Sequence, residues 1–139
     1  MRKFSKIKVD KNYVFGLNNK PYLFKGVLDQ GYFLDGIYTV FHDSDYIYDI
    51  NTMKEMGFNT LRKHIKIEPM RFYYHCDRLG MIVWQDFVNG GAKYKNLLIM
   101  TRPLINYNID DTTYRFLGRK NEKSRDHFIK EMTLTVSTL

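Results

Sequence analysis

Leu79-Gly80-Met81-Ile82-Val83-Trp84-Gln85-Asp86 is the stretch that decides the fold. Met81 to Trp84 form a near-continuous apolar run, as expected of a parallel strand covered on both faces. Gly80 is placed to terminate a helix, and Gln85-Asp86 close the run on polar groups. Helix, glycine stop and short apolar strand make one step of a β-α repeat.

Working upstream, the helix before Gly80 carries Phe72, Tyr73, Cys76 and Leu79 on one face, with Pro69 placed for its first turn. Phe58-Asn59-Thr60-Leu61 reads as the preceding strand, followed by the polar run Arg62-Lys63-His64. A still earlier helix is predicted from a cap at Asp43 or Ser44 to Met56, with Ile47, Ile50, Met53 and Met56 at helical spacing. Gly57 is placed to end it in the left-handed conformation. The first strand is predicted within Leu23–Leu28, as the continuation of a β-hairpin over Tyr13–Leu23 that turns at Asn18-Asn19. Pro21 sits near a strand start, where a missing N–H is tolerable.

Downstream, Asn89 to Lys123 reads as a long connection with Gly90-Gly91, Pro103 and Asp110-Asp111. Ser124 opens a last helix with Phe128, Met132, Val136 and Leu139 at helical spacing. The order is thus a hairpin (13–23) and three β-α units, at about 23–57, 58–80 and 81–139. Right-handed crossovers make the sheet parallel. A closed barrel takes eight such units and about 250 residues, so the chain reads as part of a larger α/β fold or as a domain completed by a partner.

Composition agrees with a globular domain. Of the 139 residues, 44% are apolar and 27% charged. Aromatics reach 16%, which suits a stacked core or a sugar-binding surface, and the core is the commoner use. The lone cysteine, Cys76, excludes an internal disulfide and fits a reducing, cytoplasmic compartment; its place on the apolar helix face predicts a buried thiol. No run of about 18 apolar residues is present, so no membrane partner is expected, and the first six residues do not read as a signal peptide. The net charge is +7, with Lys and Arg recurring along the chain. Without a nucleic-acid-binding motif, that charge reads as a solvated basic surface and not as a nucleic-acid site.

Each predicted strand ends in polar residues: Asp29-Gln30, Arg62-Lys63-His64 and Gln85-Asp86. The carboxyl ends of barrel strands converge on one mouth, so the three clusters predict a shared polar site. The palette suits carbohydrate. Asp accepts hydrogen bonds from hydroxyls, Arg and His donate them, and Trp84, Tyr32 or Phe33 can stack on a pyranose face. Asp29 and Asp86 are the only strand-end carboxylate pair. His42, His64, His75 and His127 lack metal-ligand spacing, and no metal or cofactor is expected.

Three blocks of sequence resemble glycoside hydrolase family 2, the family of β-galactosidases, β-glucuronidases and β-mannosidases. They are Phe24-Lys25-Gly26-Val27-Leu28-Asp29-Gln30-Gly31-Tyr32-Phe33, the segment from Gly57-Phe58-Asn59 through Arg62-Lys63-His64 to Glu68-Pro69, and Asp77-Arg78-Leu79-Gly80 through Asp86. They occur in family order and cover most of residues 13–89. Phe116-Leu117-Gly118-Arg119-Lys120 onward resembles one subgroup only.

The resemblance implies the N-terminal part of a (β/α)₈ TIM-barrel catalytic domain from a retaining β-glycosidase. It implies an acid/base Glu after an Asn at the end of strand four and a nucleophile Glu on strand seven. The only Asn-Glu here, Asn121-Glu122, lies in a basic polar run before the last helix, so both catalytic carboxylates are expected to be absent and the chain inactive alone. Carried over by motif, Asp29, Arg62, His64 and Asp86 become sugar-site or supporting residues, with His64 the expected direct contact. Leu34, Phe33, Phe72 and Val88 stand where the family usually has Pro, Trp, Trp and Pro, so the resemblance does not name the sugar. Met1-Arg2 resembles the Met-Arg that closes the preceding sandwich domain, so Met1 is expected to be either an internal residue or a start created by gene truncation.

The expected partners are therefore a β-glycoside and either the rest of the barrel or a second copy covering the open sheet edges. A noncatalytic sugar-binding or assembly module is the alternative.

Overall fold

A computed structural model describes residues 3–88, 100 and 120–139. The chain divides into two compact units, Met1–Asp86 and Phe87–Leu139. The first opens with an antiparallel sheet of β1 (Phe4–Val9), β2 (Asn12–Leu17) and β3 (Lys20–Pro21), in that order. Asn18 and Asn19 both take positive φ, at 51° and 64°, in the two-residue turn joining β2 to β3. The predicted hairpin is therefore present, but its second arm is only two residues long. A strand absent from the sequence reading, β1, pairs along the whole of β2 from Phe4↔Leu17 to Val9↔Asn12. Its alternation of Lys6 and Lys8 with Ile7 and Val9 is only four residues long, and Phe4 and Ser5 before it reverse the pattern.

A parallel sheet follows, built from β4 (Gly26–Asp29), β5 (Thr60–Lys63) and β6 (Ile82–Gln85) in the order β4-β5-β6. The register is level: Gly26, Thr60 and Ile82 lie side by side, as do Asp29, Lys63 and Gln85. Helices α1 (Asp43–Glu55) and α2 (Met70–Leu79) form the crossovers. This is the α/β architecture of a partial TIM barrel; among the described residues the sheet has three strands and does not close. Asn59 locks its entry, since its Oδ1 accepts from Lys25 N at 2.8 Å and its Nδ2 donates to Leu23 O at 2.9 Å.

Strand bounds differ from the sequence reading in one consequential way. β5 begins at Thr60, two residues later than Phe58, and so includes Arg62 and Lys63. An apolar run reports only the covered part of a strand, whereas the backbone ladder continues as long as both neighbours supply partners. Helix ends also shift. His42 and not Asp43 or Ser44 is the N-cap of α1, and Pro69 is the N-cap of α2 and not its first helical residue. Gly57 and Gly80 follow their helices with φ of 90° and 75°, as the glycine stops required.

The core lies between the parallel sheet and the two helices. Val40, Tyr46, Ile50, Leu61, Phe72, Cys76 and Met81 are buried there, and Tyr46 meets Phe33 and Phe72 edge-on at 5.7 and 5.4 Å. The thiol of Cys76 is buried as its helix position predicted. Phe72 and Cys76 come from the apolar face read in the sequence; Tyr46 does not, and it takes the central place on α1.

In the second unit, α3 (Glu122–Thr138) begins two residues before Ser124. Asn121 caps it, its Oδ1 accepting from Ser124 N at 3.3 Å. Most of the predicted connection 89–123 and the subgroup-like segment 116–119 lie outside the described residues; Glu122 and Lys123 already belong to α3.

Candidate functional site

Alternation along β4, β5 and β6 sends successive side chains to opposite faces. Leu28, Arg62 and Trp84 share a register row on the face away from the helices, and all three are exposed. Asp29, Lys63 and Gln85 form the next row, which points to the helix side. Arg62 and Lys63, adjacent in sequence, thus belong to different surroundings.

On the open face, Arg62 grips Asp86 with two bonds. Its Nε donates to Oδ1 at 3.2 Å and its Nη2 to Oδ2 at 2.9 Å. The carboxylate beside it raises the guanidinium pKa above its ordinary value. Trp84 stands next to Arg62, and the two line a cleft of about 450 Å³ with Phe24, Gly26, Thr60 and Asp86. His64 sits just past β5, half-buried, with Nδ1 3.4 Å from Gln30 Nε2 and its backbone N–H bonded to Asp29 O at 2.9 Å.

On the covered face lies a group of four charges. Lys63, fully buried, meets Asp29 Oδ2 at 3.1 Å and Glu68 Oε1 at 2.5 Å. Lys66 meets the same Glu68 oxygen at 2.8 Å and donates to Gly31 O at 2.6 Å and Tyr38 O at 2.5 Å. The two ammonium groups approach Oε1 as ion pairs and not along aligned hydrogen-bond directions. Two cations and two anions make the group neutral as a whole. Glu68 Oε2 accepts from Tyr46 OH at 3.3 Å, while Glu68 N donates to Tyr73 OH at 3.1 Å. Tyr73 in turn donates to Gln85 Oε1 at 2.6 Å, and Gln85 Nε2 donates to Lys66 O at 2.8 Å.

This network joins the loop after β4 to the loop after β5. Gly31 lies against it at φ 66°, and a side-chain carbon there would collide with Glu68 Oε1 and Lys63 Nζ. Only glycine meets both constraints. Burial pushes the Tyr46 phenol up to about 12, and the adjacent Glu68 charge adds to the shift. Burial also raises Tyr73. On α1, burial raises Asp49, with the charges of Asp29 and Asp45 acting in the same direction. Farther along α2, His75 hydrogen-bonds Asp43 at 2.9 Å and, with Arg71, lowers the Asp43 pKa while tying α2 to α1.

The structure therefore brings Arg62, Asp86 and Trp84 together and places His64 with Gln30. Asp29 is on the other face, held by Lys63 and by Gly31 N at 2.8 Å. Asp29 and Asp86 take different cations on different faces, so they do not flank a common point. Lys63 and Gln85 were read in the sequence as strand-end members of one polar site and Tyr73 as part of an apolar helix face, whereas Lys66 and Glu68 were missed and the burial of Lys63 was hidden in the polar run Arg62-Lys63-His64. The available signal was Leu61, whose strand face Lys63 shares. Among the described residues no group of three or more His, Cys, Asp or Glu could hold a metal ion, and no helix is long and apolar enough to cross a membrane.

The sequence model described as "Glycosyl hydrolases family 2, TIM barrel domain" matches residues 7–128, most of the chain. The chain belongs to glycosyl hydrolases family 2. A family 2 member from Bacteroides cellulosilyticus DSM 14838 is 28% identical and superposes with a TM-score of 0.52 over 63% of this chain and 11% of its own. A β-glycosidase from Bacteroides vulgatus is 22% identical and matches with a TM-score of 0.63 in a comparison that covers 96% of this chain. The β-glucuronidase of Parabacteroides merdae, solved with glycerol in its active site, matches 73% of this chain with 23% identity and a TM-score of 0.55. This family 2 chain spans only 14% and 13% of those last two proteins. No curated protein sequence matches it significantly.

Two outcomes follow from the buried charges. Glu68→Gln leaves two buried ammonium groups short of a counter-charge and is expected to cost about 3–5 kcal/mol in urea unfolding. Because the folded Tyr46 phenol holds its proton up to about 12 while an ordinary phenol releases it near 10, the contribution of Tyr46 to stability is fully present below about pH 10 and is lost as pH rises toward 12. Tyr46→Phe should flatten that alkaline decline in unfolding midpoints measured between these limits.

Proposed function

We propose that this chain supplies one wall of the sugar site of a retaining β-glycosidase. Arg62, Asp86, Trp84 and His64 face the sugar, and Asp29 supports the wall from behind. The observation that carries the reading is the Arg62–Asp86 pair beside exposed Trp84 at the carboxyl ends of three parallel strands. Barrel enzymes hold their substrates at that end. The indole offers an apolar face to a pyranose, the guanidinium and imidazole supply donors, and the carboxylate accepts.

In this reading residues 1–139 are the opening part of the barrel domain, and the acid/base and nucleophilic glutamates come from outside them. Asn121-Glu122 heads an exposed helix as its cap and first residue, a setting that suits capping and not glycoside protonation. The chain by itself then binds sugar without hydrolysing it. A cytoplasmic setting accompanies the proposal, on the strength of the lone buried thiol.

Trp84 is the only tryptophan, so its fluorescence reports on this wall alone. Titration with simple β-glycosides in the millimolar range should change the emission, with no release of nitrophenol from nitrophenyl glycosides. An unchanged spectrum, or turnover surviving purification, overturns the reading.

The outer edges of β4 and β6 have no strand partner among the described residues. Unpaired edges recruit other strands. Light scattering is expected to show self-association that grows with concentration; a monomer at the highest soluble concentration refutes it.

A further inference from the structure

The basic residues recur along the whole chain, but the acidic ones do not. Residues 1–25 hold seven Lys or Arg and a single acid, Asp10, a net of +6. The remaining residues hold 15 basic against 14 acidic, a net of +1. Nearly all the excess charge of the protein therefore sits on the antiparallel sheet and its flanks. Among the described residues, none of Lys3, Lys6, Lys8, Lys11, Lys20 or Lys25 takes a carboxylate partner.

Strand alternation sorts these charges. Phe4, Lys6 and Lys8 of β1 lie across from Leu17, Phe15 and Tyr13 of β2, and Lys20 of β3 pairs with Leu17. One face thus interleaves lysines with aromatic rings. Phe4, Tyr13 and Phe15 are 53%, 61% and 61% exposed, and Lys6 Nζ stands 4.1 Å over the Tyr13 ring. Phe4, Ser5, Lys6, Tyr13, Val14 and Phe15 line a shallow cleft of about 360 Å³. An apolar partner does not suit this face, because covering Lys6, Lys8 and Lys20 without counter-charges costs more than the rings return.

We infer that this face binds an anionic polysaccharide, its carboxylate groups meeting the lysines and its sugar rings lying on Tyr13 and Phe15. The charge pattern selects a polyanion, and exposed rings beside lysines offer stacking together with ion pairing. The carbohydrate part of the inference rests on the glycosidase reading, since single-stranded RNA would also meet rings and cations. Carbohydrate is favoured by the family, and RNA is an outcome of the test. Phe24 packs on Phe4 and Phe15 at 6.1 and 5.6 Å and also lines the Arg62–Trp84 cleft, so the face adjoins that wall and would hold the extension of a long substrate and not the bond to be cleaved.

Calorimetric titration of the full chain with polygalacturonate oligomers, neutral dextran oligomers and poly(U) RNA of matched charge tests the inference at low and moderate salt. Binding to polygalacturonate, weakened by salt and absent for dextran, is expected. Lys6→Gln with Lys8→Gln should weaken it about three- to tenfold, because exposed ion pairs contribute modestly. Tyr13→Ala should weaken it while Tyr13→Phe retains it, with urea unfolding of these variants matching the parent. Lys6→Gln with Lys8→Gln should leave the response of Trp84 fluorescence to simple β-glycosides unchanged, so failure at the strand-end wall and failure here are read separately. No binding, equal binding to dextran, or tighter binding of RNA would overturn the inference.

Discussion

Glu68 holds one carboxylate oxygen 2.5 Å from Lys63 and 2.8 Å from Lys66 where water does not reach, and the strand ends are arranged around that oxygen. Taking four charges out of water costs several kcal/mol for each ion. The arrangement persists because every member has further partners. Lys66 reaches two carbonyls of the preceding loop, Lys63 reaches Asp29, and Tyr46 and Tyr73 bracket Glu68. Removing any member leaves the others buried without compensation, so the group acts as a unit. It fixes where the loops after β4 and β5 leave the sheet, and with them the backbone of His64.

The fold was largely legible because its punctuation is local. Gly57 and Gly80 announce helix ends through the left-handed backbone that glycine alone adopts freely, and Met81–Trp84 announces a parallel strand, although its Trp84 end lies open and not covered on both faces as the apolar run predicted. The Asn18-Asn19 turn was equally plain, since both residues tolerate positive φ. What escaped was β1, whose Lys6-Ile7-Lys8-Val9 alternation is short and is interrupted upstream by Ser5 and Phe4 falling on the opposite parity, and Tyr46, whose hydroxyl marks it as amphipathic although its ring is central.

The candidate site was only half legible for a related reason. Arg62, Lys63 and His64 look alike in composition, yet the pleat sends Arg62 to the open face and Lys63 into the core. Charged residues are so rarely buried that the sequence prior places all three outside. The strand boundary had to be known to two residues before the alternation could be applied, and boundaries are where apolar patterns say least. Asp29 and Asp86 illustrate the same limit: they sit at the ends of the two runs that flank β5, but opposite parity sends them to different cations.

Because the covered charges sum to zero and point away from the cleft, the open face is electrically its own. Leu28, Arg62 and Trp84 can be exchanged without altering the charge balance beneath them, whereas Lys63, Lys66 and Glu68 can change only in concert. A lineage could therefore drift in what its outer row recognises while the inner row stays fixed. The pleat of β5 works in this way as a hereditary partition, with one parity of its residues open to variation and the other bound to correlated change.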